Sequence, residues 1–138
     1  MKILFVENIL LLSALFIFAC CTDDISEDNP LPAYTADGKW LWSPVPTDRT
    51  YANTMYEFED GNVYTSYPNC GSIDNLCTDA DFNALNATDR IPGFDTYTFD
   101  DNTLIWDGTP LGITFVCNGG IIQFENSSKL WRLNSDCN

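Results

Sequence analysis

The chain has 138 residues, one domain's worth, with 20 acidic residues against 6 basic ones, no histidine and a net charge of −14. Without histidine there is no Ser-His or Cys-His nucleophile system, no histidine proton shuttle and no histidine-ligated metal. The charge repels nucleic-acid phosphates and favours cations or basic proteins as partners.

The first element is an apolar run over residues 9–19, preceded by Lys2 and Glu7. It is too short for the ~20 residues that cross a bilayer as a helix, and it suits a secretory leader. No second apolar run follows, so no transmembrane helix is expected beyond it. The run ends in Ile17-Phe18-Ala19-Cys20, which resembles the lipobox of bacterial lipoproteins. That resemblance implies a signal peptide at 1–19 and a lipid anchor, palmitate included, on Cys20. Cys21 fits less well, because Phe18 and Cys20 would then occupy the aliphatic and small positions.

Residues 20–37 carry Asp23, Asp24, Glu27 and Asp28, then Pro30 and Pro32. Such a segment buries too little apolar surface to fold alone and reads as a disordered, acidic tether. Acids directly after a lipidated cysteine resemble the export signal of some Gram-negative surface lipoproteins. The implied address is the bacterial outer membrane, lipid-anchored and surface-exposed, with the membrane as a partner through the lipid.

From residue 38 to 138 short apolar-rich runs alternate with turn residues, the pattern of an all-β domain. Strands are expected at 39–43, 55–58, 63–67, 95–99, 103–106, 113–117, 121–125 and 129–133. Asp60-Gly61-Asn62, Asp100-Asp101-Asn102, Asn118-Gly119-Gly120 and Asn126-Ser127-Ser128 supply hairpin turns. Eight short antiparallel strands in a meander either close into a barrel or stack as a sandwich; the expected fold is the eight-stranded antiparallel meander barrel, with one short helix between strands 3 and 4. That helix begins after Thr78, has Asp79 and Asp81 in its first turn, and stops at Arg90-Ile91-Pro92-Gly93.

Four cysteines lie in the domain: Cys70, Cys77, Cys117 and Cys137. Exported chains keep disulfides, and four cysteines allow three connectivities. Local pairing, 70–77 with 117–137, is the preferred one. A zinc site is not expected, since there is neither a CxxC pair nor a histidine. Asp79-x-Asp81-x-Asn83 matches the opening of a calcium loop, but Ala84 and Arg90 stand where the turn glycine and the bidentate glutamate belong. No metal or other cofactor is therefore expected. The acids sit mostly in turns and the tether, where water solvates them, so paired-carboxylate catalysis is not expected either and the chain reads as a non-enzyme.

The aromatic residues are the sharper signal. Trp40, Trp42, Tyr56, Phe58, Tyr97, Phe99, Trp106, Phe115, Phe124 and Trp131 either fill a small core or line a pocket for one small apolar ligand, with Trp42, Tyr97, Phe99, Trp106, Phe115 and Phe124 as the candidate ligand contacts.

Gly38-Lys39-Trp40, Tyr56-Glu57-Phe58-Glu59-Asp60-Gly61, Tyr97-Thr98-Phe99-Asp100-Asp101-Asn102-Thr103-Leu104 and the late Arg132 together resemble the short lipocalin-like domains of bacterial lipoproteins. The resemblance covers residues 38–133. It implies a lipocalin-like barrel whose base is closed by Gly38, Trp40 and Arg132, the guanidinium packing over the indole, and a lipid-anchored envelope module that binds a small apolar ligand. The strands are shorter than in ligand-carrying lipocalins, and the helix lies mid-chain. Phe115-Val116-Cys117-Asn118-Gly119-Gly120 is also similar to the hairpin that opens membrane-bound lysozyme inhibitors, although here it lies near the C-terminus. Charge and address keep a second function open, an inhibitory or protein-binding module for a basic partner. A purely structural envelope lipoprotein is the third.

Overall fold

The computed structural model describes residues 34–138. The leader, Cys20, Cys21 and the tether through residue 33 lie outside the described residues. Eight strands follow in order: β1 Gly38–Trp42, β2 Thr54–Glu59, β3 Asn62–Ser66, β4 Asp95–Asp100, β5 Thr103–Trp106, β6 Thr109–Val116, β7 Ile121–Phe124 and β8 Lys129–Arg132. Each pairs antiparallel with the next, and β8 returns to β1 through Trp40↔Arg132, Leu41↔Trp131 and Trp42↔Leu130. The sheet is thus a closed barrel of eight meander strands, with no free edge for another chain to extend.

Alternation along the strands gives the closed sheet its inner face. Successive side chains point to opposite faces, so Trp40, Phe58, Val63, Tyr97, Leu104, Ile113, Ile122 and Leu130 meet inside as one buried cluster. The two ends differ in their connections. The β2–β3, β4–β5 and β6–β7 turns lie at one end, the base, beside the entering segment Tyr34 to Asp37. The other four connections lie at the opposite end, the mouth.

Two outer-wall clusters complete the core. Leu41 and Met55 point outward from β1 and β2 and are covered by Ala52, Leu133 and Phe82. Phe82 belongs to a single-turn helix, α1, Asp79–Asn83. Its start is held by the Asp81 carboxylate, which accepts from the Thr78 backbone N–H at 2.8 Å and from the Thr78 hydroxyl at 2.7 Å. These bonds favour the ionised form and hold the Asp81 pKa below its ordinary value. Arg49, in the β1–β2 connection, donates to both Asp79 carboxylate oxygens at 2.7 and 2.8 Å and to the Ser135 carbonyl at 2.9 Å. One guanidinium therefore ties loop, helix and C-terminal tail to the same wall. On the adjoining strands β7 and β8, Ile121, Trp131 and Cys137 pack together, Trp131 pairing directly with Leu41.

Two disulfides form, Cys70–Cys77 and Cys117–Cys137, with Cα separations of 5.2 and 6.1 Å. The first closes a small loop in the β3–β4 excursion; the second pins the tail to the β6–β7 turn.

Three expectations need correction. The tether does not run to residue 37, because Ala36 is fully buried and the Tyr34 ring lies 5.4 Å from that of Phe115. Strand β6 begins at Thr109 rather than 113. Asp107 and Gly108 both have positive φ, 46° and 75°, forming a two-residue hairpin that pairs Trp106 with Thr109. The helical segment is also shorter than expected, α1 being followed by a separate 3-10 turn at Ala87–Asp89.

Candidate functional site

The base is filled. The Trp40 indole donates to the Ala36 carbonyl at 2.6 Å, and the Arg132 guanidinium carbon lies 4.2 Å from the Trp40 ring centroid. The Arg132 guanidinium also donates to the carbonyls of Thr35, Asp37 and Gly119 at 2.9, 3.1 and 3.2 Å. Partial burial lowers its pKa, with Asp37 acting the other way. Gly38 is required beside it: its φ is +119°, and a Cβ there would stand 2.9 Å from an Arg132 nitrogen. The Tyr97 hydroxyl donates to Asp37, and its pKa is pushed up to about 12, first by burial and then by the Asp37 carboxylate. Phe115 packs between Phe99, at 5.6 Å, and Trp40, at 6.3 Å.

The mouth is open. A pocket of about 340 Å³ enters the barrel there. Its walls are Trp42 from β1, Tyr56 from β2, Trp106 from β5, Leu111 from β6, Phe124 from β7 and Leu130 from β8. Glu125, Asn126 and Ser128 form a rim on the β7–β8 side. The Tyr56 and Trp106 rings meet edge to face at 4.9 Å, and Trp106 meets Phe58 the same way at 5.1 Å. Phe58 in turn contacts Tyr97 at 4.9 Å, so a ladder of rings runs from the pocket wall into the filled interior. The Trp106 indole N–H donates to Asp95 at 2.9 Å, which fixes the ring. The Tyr56 pKa is raised, by burial first and then by Tyr67 and Asp95.

The six aromatic residues expected at a ligand site therefore divide. Trp42, Trp106 and Phe124 line the pocket, whereas Tyr97, Phe99 and Phe115 belong to the filled interior and base and reach no pocket wall. Leu111 and Glu125 also line the pocket and were not anticipated there, as does Tyr56, which belongs to the wider aromatic set. Tyr56 shares its inner face with Phe58 two residues on, and Leu111 becomes visible once Asp107-Gly108 is read as a turn.

A second cavity, about 350 Å³, opens between β3 and β4 among Val63, Thr65, Tyr67, Ile91, Phe94 and Asp95. These strands pair over only two positions, Asn62↔Thr96 and Val63↔Asp95. It is a seam on the barrel's flank, whereas walls from six strands converge on the mouth pocket.

The residues of the calcium-like triplet are each occupied within the protein. Asp79 binds Arg49, Asp81 caps α1, and Asn83 exchanges amide hydrogen bonds with Asn134 at 2.7 and 3.1 Å. No group of metal-binding side chains occurs among the described residues.

Comparison with protein-family models, curated proteins and solved structures finds no match to the chain.

Proposed function

We propose that this protein is a lipid-anchored, lipocalin-like binding module of the bacterial envelope that takes a small apolar ligand in the mouth pocket. The observation that carries the reading is that pocket: about 340 Å³, walled by Trp42, Tyr56, Trp106 and Phe124, at the lower end of the size range of small-molecule sites. The orientation suits the role. The described chain enters at the base, and the mouth lies at the opposite end of the barrel from the entering segment. Binding is favoured over catalysis because the pocket wall carries one carboxylate, Glu125, and no second acid or nucleophile-base pair.

The test is a titration of the purified protein with a panel of small aromatic and aliphatic compounds, neutral and charged, followed by tryptophan fluorescence. Saturable one-to-one quenching by at least one member, lost in Trp106→Ala, is the expected outcome. A panel without any saturable binder refutes the reading.

One observation favours a second reading, capture of a basic protein. Of the cations in the described residues, Lys39, Arg49 and Arg90 are held in ion pairs, and Arg132 is committed to the base. Most of the acidic surplus therefore faces solvent. This reading expects capture of lysozyme that weakens steeply with added salt; capture indifferent to salt rules out the electrostatic version.

A further inference from the structure

We infer that the ligand of the mouth pocket is an organic cation: an ammonium group carried on an apolar or aromatic body. The inference rests on the pocket's being a ligand site, as proposed above, and concerns the charge of what enters it.

The polar groups of the wall decide the matter. The Trp106 N–H is already given to Asp95. The Ser128 hydroxyl is given to Asn126 Oδ1 at 2.6 Å, and the Ser128 backbone N–H to the same oxygen at 2.9 Å. No lysine or arginine belongs to the wall. Lys129, the nearest in sequence, lies between the inward Leu130 and the rim and shares the outward face of β8 with Trp131. An anionic ligand such as a fatty-acid carboxylate would lose its water and find no cation to replace it.

For a cation the same wall is complementary. Four aromatic side chains present π faces or edges to one space, and a desolvated ammonium is attracted to such faces. The only formal charge on the wall is the Glu125 carboxylate. Its position is built into the sheet: the side chain lies across Gly112 of β6, where a Cβ would come within 2.3 Å of Oε1 and 2.5 Å of Cδ. Any larger residue at 112 would push the carboxylate off the wall. Asp95, behind Trp106, and the −14 net charge add negative potential from further away.

The experiment is a calorimetric titration of the protein with three benzyl probes: benzyltrimethylammonium, its neutral isostere neopentylbenzene, and the smaller anion phenylacetate. The cation is expected to bind about tenfold or more tightly than the neutral probe, with no detectable binding of the anion. Glu125→Gln, which leaves the aromatic walls intact, is expected to reduce that preference severalfold while neutral binding stays the same. Gly112→Ala is expected to do likewise by displacing the carboxylate. Equal affinity for the cation and the neutral isostere, or tighter binding of phenylacetate, overturns the cation inference and leaves the pocket as an apolar site. Failure of all three probes to bind overturns the cation inference as well; if the broad panel above still yields a saturable binder, the ligand-binding reading stands without it.

Discussion

Trp40 and Trp42 stand two residues apart on the inner face of β1, yet Trp40 is fully buried and Trp42 is only partly covered. The strands and their alternation are the same for both. What differs is what the connections do. At the base, the entering segment places Ala36 and Tyr34 against the ends of the strands, and Arg132 locks it there through three carbonyls. At the mouth, the long connections turn away. The β1–β2 loop and the β3–β4 excursion send Ala52 and Phe82 down the outer wall, onto Leu41 and Met55. The chain that could have capped the mouth is used to coat the flank, and the pocket is what remains uncovered. In a barrel this small, loop routing decides between a filled core and an open pocket.

The sharpest way to break the comparison is to make one substitution at both ends. Trp40→Ala removes a fully enclosed ring and is expected to cost about 3–5 kcal/mol in urea unfolding. Trp42→Ala, at the mouth, is expected to cost about 1–2 kcal/mol, since a partly exposed ring forfeits less transfer free energy. Equal costs would mean that both ends are equally packed.

Next comes the tail. Replacing Cys117 and Cys137 together by Ser opens a loop of sequence separation 20 and is expected to cost about 3 kcal/mol on the chain-entropy estimate. Because that bridge lies at the base, ligand affinity at the mouth should be unchanged in the same variant.

A smaller effect is expected from Arg132→Lys. The lysine keeps the charge but loses the planar fork that serves the ring and three carbonyls, at a cost of about 1–2 kcal/mol in the urea midpoint.

The smallest effect concerns alkaline pH. The Tyr97 pKa is raised from about 10 to about 12 in the folded protein. Folding therefore favours the protonated phenol, whose contribution is complete below about pH 10. It is lost as pH rises toward 12, because the unfolded chain releases the proton first. Tyr56, also raised, acts in the same direction. Urea midpoints measured across this range should fall with pH, and less steeply in Tyr97→Phe.

Much of this architecture is legible in the sequence, because period-2 alternation marks the strands and turn residues such as Asp60-Gly61, which tolerate positive φ, mark the hairpins; alternation alone leaves a closed barrel and a sandwich both open. Seven of the eight expected strands lie within a residue or so of the observed ones. The exception is β6, expected from 113, whereas the Asp107-Gly108 turn, not read as one from the sequence, starts the strand at Thr109. The base residues Gly38, Trp40 and Arg132 are expected there from the resemblance of their motifs to lipocalin-like domains rather than from local pattern, and the structure brings them together. The division of the inward aromatics was not legible. Phe115 and Phe124 have the same pattern in sequence and are both part-buried; only the three-dimensional path of the loops and the entering segment packs one against Tyr34 and Trp40 and leaves the other on the pocket wall. Ala36 was missed for the same reason, since nothing local distinguishes it from the acidic segment before it.

The most direct test of a filled base and an open mouth is calorimetric titration of benzyltrimethylammonium into two variants of matched chemistry, Phe124→Ala and Phe115→Ala. Phe124 lines the pocket and Phe115 packs at the base. The predicted result is a loss of affinity of about tenfold or more in Phe124→Ala and unchanged affinity in Phe115→Ala, although the latter is less stable to urea. Loss of affinity in Phe115→Ala with full retention in Phe124→Ala would contradict the assignment of the ligand to the mouth.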